Sequence, residues 1–315
     1  MPGAKLNTDL WINEYISPYD IYAHGLVRIL VQKQTAFQEM CIAEAGVQGK
    51  ALILDGKWQS CTRDEFLYHE PLVHPACIHQ GMPQSVLILG GGEGATVREA
   101  LKWNTVQRVV MVDIDANVVE ACKEHLPEMH QGAFEDPRTE LVIGDALEYL
   151  DNSENEWDII ISDLSDPIEE GPSFKLFTKE YFEQCRRALK PDGCLVVQAG
   201  SVGPAEMALH VRLNKTVQSV FEHVVSYSSH VPTYAAPWGY VMGSNQSIEP
   251  YPDPGATDRL LKEKTTGPFK ILDGRTLLGL MQPPKHLRDA IAAETRIYTL
   301  KDPPKFFGKG VGESR

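Results

Sequence analysis

The run Val86-Leu-Ile-Leu-Gly-Gly-Gly-Glu-Gly-Ala-Thr-Val-Arg-Glu99 constrains this chain most. Four apolar residues end in clustered glycines and lead into a helix-like stretch, the form a strand takes where an open α/β sheet meets a ligand. Glycine permits positive φ and lets main-chain N–H groups approach a ligand that a Cβ would exclude. A second apolar run, Val109–Val112, ends in Asp113-Ile114-Asp115. That places a carboxylate where such a sheet meets ribose hydroxyls. Gly90, Gly91, Gly92 and Asp113 therefore read as a nucleoside site. A glycine turn alone is as often a plain strand-to-helix connection; the spacing to Asp113 favours the ligand. After Gly94 come Ala95, Thr96 and Val97, so the third glycine of the dinucleotide fingerprint is missing. Glu93 sits inside the turn, where its carboxylate would repel a pyrophosphate at the helix N-terminus. The expected ligand is a nucleoside without phosphates that carries positive charge.

With 315 residues, 43% of them hydrophobic, the chain can bury a full core, and a prior of roughly 150 residues per domain suggests about two units. The first residues show no signal-peptide core, and no apolar run nears the ~20 residues that span a bilayer. A cytoplasmic protein without membrane contact is expected. Six cysteines are scattered without a Cys-x-x-Cys pair, which points to buried reduced thiols rather than a zinc site or disulfides. A net charge of -13 argues against nucleic acid as a partner and suits a cationic ligand, although an acidic surface also serves solubility.

From about Val27 to Thr62, short alternating runs are separated by Gly46, Gly49 and Gly56, the signature of a small antiparallel sheet. Strand and helix then alternate: a helix near 64–80, strands at 85–89 and 109–112, helices at 95–102 and 117–125, and strands at 141–143, 157–162 and 194–198. The expected fold is α/β: a doubly wound, largely parallel, Rossmann-like sheet of methyltransferase type, with a small N-terminal antiparallel β domain. The expected divisions are 1–66, 67–247 and a C-terminal extension 248–315 with a helix at 285–295. Ligands of such a sheet lie past the carboxyl ends of its strands. Two further strand ends carry acids: Gly144-Asp145-Ala146, and Asp163-Leu164-Ser165-Asp166-Pro167 followed by Glu169 and Glu170. Each is an ordinary turn or solvated loop in isolation. If the second neighbours the glycine turn, Asp163 and Asp166 share a crevice with Glu93.

These residues resemble the polyamine aminopropyltransferases, the spermidine synthase family. The similarity runs through Leu54-Asp-Gly-Lys-Trp-Gln59, Arg63-Asp-Glu-Phe-Leu-Tyr-His-Glu70, Gly90–Gly94, Asp113-Ile-Asp115, Gly144-Asp145, Asp163–Pro167 and Val231-Pro-Thr-Tyr234, in the family's order. Within the family the finer resemblance is to the thermospermine synthases, through His69, Glu93, Asp163-Leu-Ser-Asp-Pro167 and Trp238-Gly239. Tyr234 departs from that subgroup, which often has Phe there. The resemblance implies transfer of an aminopropyl group from decarboxylated S-adenosylmethionine, a co-substrate, to a polyamine, without a metal. It implies Asp163 as proton acceptor and Tyr68 as the group orienting the amine. Gln38, Glu93, Asp113, Asp145, Ala146 and Asp163 would hold the donor, with Gly90, Gly91 and Gly92. Tyr68, His69, Asp166, Tyr234, Trp238 and Trp11 would hold the acceptor, with Glu169 and Glu170 attracting its charge and residues 166–178 closing as a lid. A homodimer or homotetramer is implied as well. Spermidine, putrescine and related amines stay open as acceptors, and a methyltransferase, an oxidoreductase and a silent polyamine-binding protein stand as rival functions.

Overall fold

The computed structural model describes residues 7–17, 20–167 and 173–304. At the N-terminus, β1 (Leu10–Ser17) and β2 (Asp20–Leu26) form an antiparallel ribbon, and β3 (Arg28–Gln34), β4 (Glu39–Glu44), β5 (Lys50–Leu54) and β6 (Lys57–Cys61) form a four-stranded antiparallel sheet in chain order. Asp55 and Gly56 turn β5 into β6 with positive φ at both positions, the backbone a two-residue hairpin turn requires. Central strand β4 buries both faces. Cys41 and Ala43 pack with Leu26, Ile53 and Trp58, while Met40 and Ile42 pack with Val118, Cys122 and Met129 of the next unit.

Helix α1 (Phe66–Gln80) follows, and it is buried almost all round. It holds Pro71 and Pro75, which lack the N–H that a helix interior needs. The Pro71 carbonyl, left without a partner by Pro75, accepts instead from the Tyr227 hydroxyl at 3.0 Å. Strand and helix then alternate through β7 (Ser85–Gly90), α2 (Ala95–Leu101), β8 (Arg108–Asp113), α3 (Ala116–His125), α4 (Pro127–His130), β9 (Thr139–Ile143), α5 (Ala146–Asp151), β10 (Trp157–Asp163), α6 (Lys179–Ala188), β11 (Leu189–Ser201) and α7 (Ala208–Gln218). Two further strands, β12 (His223–Val231) and β13 (Ala236–Ser244), complete a seven-stranded sheet ordered β12-β13-β11-β10-β7-β8-β9.

Strands β9, β8, β7, β10 and β11 run parallel; β13 is antiparallel to both of its neighbours. Val86 and Ile88 of β7 face α1 and Trp103, whereas Leu87 and Leu89 face Phe182 and the α6–α7 layer. Residues of β7 are thus covered on both faces, as a parallel sheet requires. Each such buried side chain contributes about 1.5–3 kcal/mol.

The chain runs from β7 outward to β8 and β9, then crosses to β10 on the other side of β7. That reversal opens a crevice at the carboxyl ends of β7 and β10. The C-terminal part carries α8 (Pro254–Lys264), α9 (Gly274–Leu280) and α10 (Lys285–Ala293), where the sequence reading has one helix. It is tied to α1 by the buried Glu70 carboxylate, which accepts from the backbone N–H groups of Lys270, Ile271 and Leu272 at 2.7, 2.9 and 3.0 Å. Among the described residues no helix is long and apolar enough to cross a membrane.

Candidate active site

The glycine turn between β7 and α2 exists because of what crowds it. Asp163 at the end of β10 pairs with Gly90, and the Gly91 N–H donates to the Asp163 carbonyl at 3.0 Å. Gly90 and Gly91 have φ of +85° and +77°, a region open chiefly to glycine. A Cβ on Gly90 would clash with the Asp163 carbonyl; on Gly91 it would lie 3.0 Å from the Asp163 carboxylate, and on Gly92 3.0 Å from that of Asp113. Two carboxylates thus lie against Gly91 and Gly92, and a backbone carbonyl against Gly90.

Asp163 accepts from the Tyr68 hydroxyl at 2.7 Å and from the Thr96 hydroxyl at 2.5 Å. Burial raises its pKa, and the Glu93 charge raises it further; His69 and the two hydroxyls work against this. Burial also lifts Asp113 to about 6, against the Asp115 N–H bond and with the charges of Asp115, Glu93 and Asp163. Tyr68 is pushed well above its ordinary pKa by burial and by Asp163, so its hydroxyl stays protonated.

Glu93 is buried in the turn, 3.3 Å from His69 Nε2, an ion-pair distance without hydrogen-bond alignment. The sequence reading sets His69 against the acceptor. The structure corrects this: His69 is fully buried, with Nδ1 at 3.0 Å from the Glu65 carboxylate and Nε2 toward Glu93, so any effect on a ligand passes through its neighbours. Burial alone pushes the imidazole down, but the two carboxylates raise it to about 10.

On the β8 side, Asp113 accepts from the Asp115 N–H at 2.8 Å. Gln38 donates to Asp115 at 3.3 Å, and Thr35 does so at 2.6 Å, which ties the N-terminal sheet to this wall. Asp145 is exposed and caps α5 through the Leu147 N–H at 2.7 Å, with Ala146 buried beside it.

On the other side, Asp166 accepts from Gln198 Nε2 at 3.1 Å. Gln198 also donates to the Leu164 carbonyl at 2.6 Å and accepts from Gly200 N–H and Trp238 Nε1, each at 3.1 Å. Trp238 packs edge-on against Tyr234 at 4.7 Å, and Tyr234 against Tyr68 at 5.9 Å. Tyr234 donates its hydroxyl to the Gln59 carbonyl of the N-terminal sheet.

Trp11 needs a second correction. Side chains alternate along β1, and Ile12 and Glu14 turn inward while Trp11 and Tyr15 are exposed on the outer face, Trp11 lying over Gly25. Glu14 is the inward group instead, 3.3 Å from Lys57 Nζ. Burial raises its pKa and Lys57 opposes this, with the charge of Asp166 also felt. Glu169 and Glu170, and part of the expected lid, lie outside the described residues. Among the described residues no three His, Cys, Asp or Glu gather closely enough to hold a metal ion.

The sequence reading gives no site role to Glu14, Lys57, Glu65, Thr96 or Gln198. Two signals exist: Glu65 stands four positions before His69 at helical spacing, and Gln198 interrupts the apolar run of β11.

Residues 65–251 match the spermine/spermidine synthase domain family. The chain is 53% identical over 302 residues to a polyamine aminopropyltransferase of Synechococcus sp. (strain JA-2-3B'a(2-13)), covering 94% of this chain and 97% of the relative. To the polyamine aminopropyltransferase of Aeropyrum pernix it is 42% identical, with 92% and 93% covered. Among solved structures it is similar to a spermidine synthase in complex with the transition-state analogue AdoDATO (28% identity, TM-score 0.85, covering 93% of this chain and 99% of that one). It is also similar to the spermidine synthase of Thermotoga maritima (28% identity, TM-score 0.83, 93% and 98% covered).

Proposed function

We propose, from the premise that this chain belongs to the spermine/spermidine synthase family, that it transfers the aminopropyl group of decarboxylated S-adenosylmethionine to spermidine. The products are thermospermine and methylthioadenosine. The observation that carries the transfer reading is the gathering of Glu93, Asp113 and Asp163 around one glycine turn, with the Tyr68 hydroxyl bonded to Asp163. Such a crevice favours a ligand that brings positive charge, as a sulfonium with an ammonium arm does.

A sulfonium is already an activated leaving group. The protein's task is to hold the donor carbon and the amine nitrogen in line at near-attack distance, and to remove a proton. An alkylamine with a pKa near ~10 is almost wholly protonated at neutral pH. In this reading Asp163 takes that proton, and its raised pKa makes it a better acceptor. Tyr68, fixed by its bond to Asp163, orients the amine lone pair. The C–N bond forms as the C–S bond breaks, the sulfur keeps the bonding pair, and neutral methylthioadenosine leaves.

Glu93 meets the donor's ammonium, Asp113 the ribose hydroxyls, Asp145 and Ala146 the adenine edge, and Gln38 supports the donor wall through Asp115. Asp166, held by Gln198, faces a distal ammonium of the acceptor beside Tyr234 and Trp238. The choice of spermidine rests on the subgroup residues His69, Glu93 and Asp163-Leu-Ser-Asp-Pro167; Tyr234 favours a second reading, with putrescine as acceptor. The exposed outer face of β1 and β2, with Trp11, Tyr15 and Ile21, supports assembly as a homodimer or homotetramer, which light scattering reads.

Incubation of purified protein with decarboxylated S-adenosylmethionine and each amine, followed by chromatography that separates spermine from thermospermine, tests the proposal. Consumption of spermidine to thermospermine is expected. Putrescine consumed with spermidine untouched replaces the acceptor, and methyl transfer from ordinary S-adenosylmethionine overturns the reaction class.

A further inference from the structure

Behind Glu93 lies a row of buried charges that the reaction as derived does not use. His69 Nδ1 has two acceptors, the Glu65 carboxylate at 3.0 Å and the Glu65 carbonyl at 2.9 Å, and Nε2 faces the Glu93 carboxylate at 3.3 Å. Acceptors thus face both ring nitrogens, so the form that suits all of them is the imidazolium, with a proton on each nitrogen. Glu65 is itself held from the far side. Arg98 of α2 reaches its carboxylate at 2.7 Å, and Lys270 approaches at 3.7 Å. Arg98 is anchored independently by Glu99 at 2.8 Å and the Met129 carbonyl at 2.5 Å. The Tyr68 ring meets His69 edge-on at 5.0 Å. His69 is therefore faced by Glu65 and Tyr68 of the α1 region and by Glu93 of the turn, with Arg98 and Lys270 one step removed. All but Lys270 are buried.

We propose that Glu65 is a positioning residue for the donor subsite: through His69 it fixes the Glu93 carboxylate in place against the donor's ammonium. The inference rests on the donor role given to Glu93 above. The Glu93 carboxylate is met by its own backbone N–H and by Ser60, both neutral, and by His69. Here the imidazole supplies the counter-charge, and Glu65 locks the ring's rotation. The elevated pKa of His69 agrees with this geometry. Glu65 would touch no substrate, and its effect would be read only through the ammonium-binding part of the donor.

The test is calorimetric titration of the full chain and its Glu65→Gln, His69→Gln and double variants with two ligands. One is decarboxylated S-adenosylmethionine; the other is methylthioadenosine, which keeps the nucleoside and lacks the ammonium. E65Q should bind the decarboxylated donor about tenfold more weakly, the scale of one charge-assisted hydrogen bond, and bind methylthioadenosine as the parent does. In the H69Q background, E65Q should cost no further donor affinity. Equal weakening of both ligands, or fully additive losses, overturns the proposal; a parent chain that binds neither ligand overturns the donor-site reading itself. Should E65Q fail to fold, nitrogen NMR of His69 in the unaltered protein decides. A ring protonated on both nitrogens from about pH 6 to about pH 8 supports the proposal, and a neutral ring at about pH 8 refutes it.

Discussion

Replacing Asp113 with Asn should stabilise the ligand-free protein while removing part of its donor site. The Asp113 carboxylate lies at the crevice floor against Gly92, and burial with the charges of Asp115, Glu93 and Asp163 lifts its pKa from the ordinary 3.8 to about 6. A folded-state pKa above the unfolded value means that the folded form holds the extra proton between those two points. Stability therefore falls as pH rises from about 4 to about 6, and the loss is complete above. At about 1.4 kcal/mol per pH unit the charged carboxylate costs about 3 kcal/mol near pH 8, an upper bound because the half-buried residue keeps some water. Asn keeps an oxygen for the Asp115 N–H, now bonded at 2.8 Å, and drops the charge. The variant should gain about 1–3 kcal/mol at pH 8, or on the order of 5 °C in Tm. That gain should shrink toward zero as pH approaches 4. Thermal melts of ligand-free parent and variant at pH 5 and pH 8 read both values, and titration with methylthioadenosine should show weaker binding by the more stable variant. A variant that melts below the parent at pH 8, or a gain equal at both pH values, would refute the electrostatic account.

Asp163→Asn should lower kcat by about 10²–10⁴-fold, the usual scale of a lost general base, with methylthioadenosine affinity retained; a tenfold or smaller loss removes Asp163 from the proton path. Gly90→Ala should lose more than about 2 kcal/mol in urea unfolding, because φ of +85° and the Asp163 carbonyl both exclude a Cβ. A variant as stable as the parent would show that the turn relaxes freely. Glu93→Gln should narrow the preference for decarboxylated over ordinary S-adenosylmethionine in competition binding, since a carboxylate about 4 Å from a second one costs about 4 kcal/mol at an effective dielectric near 20; an unchanged ratio assigns that selectivity elsewhere.

Strands β7, β8 and β10 were legible because each is a largely apolar run ending in Gly or Asp, and that pattern forces burial on both faces. The elements that escaped are the ones whose packing comes from elsewhere in the chain. β12 mixes Ser and His with Val and Tyr, and its pairing is set by β13 across the whole strand. The β1–β2 ribbon alternates weakly, so Trp11 reads as a polyamine platform when the pleat in fact turns Glu14 inward. His69 misleads for a related reason. Its place beside Tyr68 in sequence suggests a shared ligand, yet adjacent residues on a helix point about 100° apart. Tyr68 therefore meets Asp163 while His69 turns back on Glu65 and Glu93. Gln198 stays hidden because nothing in a single strand shows that it joins Leu164, Asp166, Gly200 and Trp238.

Where the charge sits explains more than how much there is. A net charge of -13 spread over a surface says little about a ligand. Asp113 and Asp163 carry raised pKa values because burial and the neighbouring carboxylates make each charge harder to hold, while Glu65 and Glu93 are lowered because His69 answers them and outweighs their burial. The crevice therefore has two kinds of acid: one ion-paired from within by a buried cation, and one hydrogen-bonded to neutral donors alone. In the proposed pose the donor's ammonium meets Glu93, an acid of the first kind, and its sulfonium would relieve the second kind on binding. Release of neutral methylthioadenosine and transfer of the ammonium arm to the acceptor would restore the repulsion. The strain among Asp113, Asp163 and Glu93 thus favours capture of the charged donor over retention of the spent nucleoside, which is the direction turnover requires.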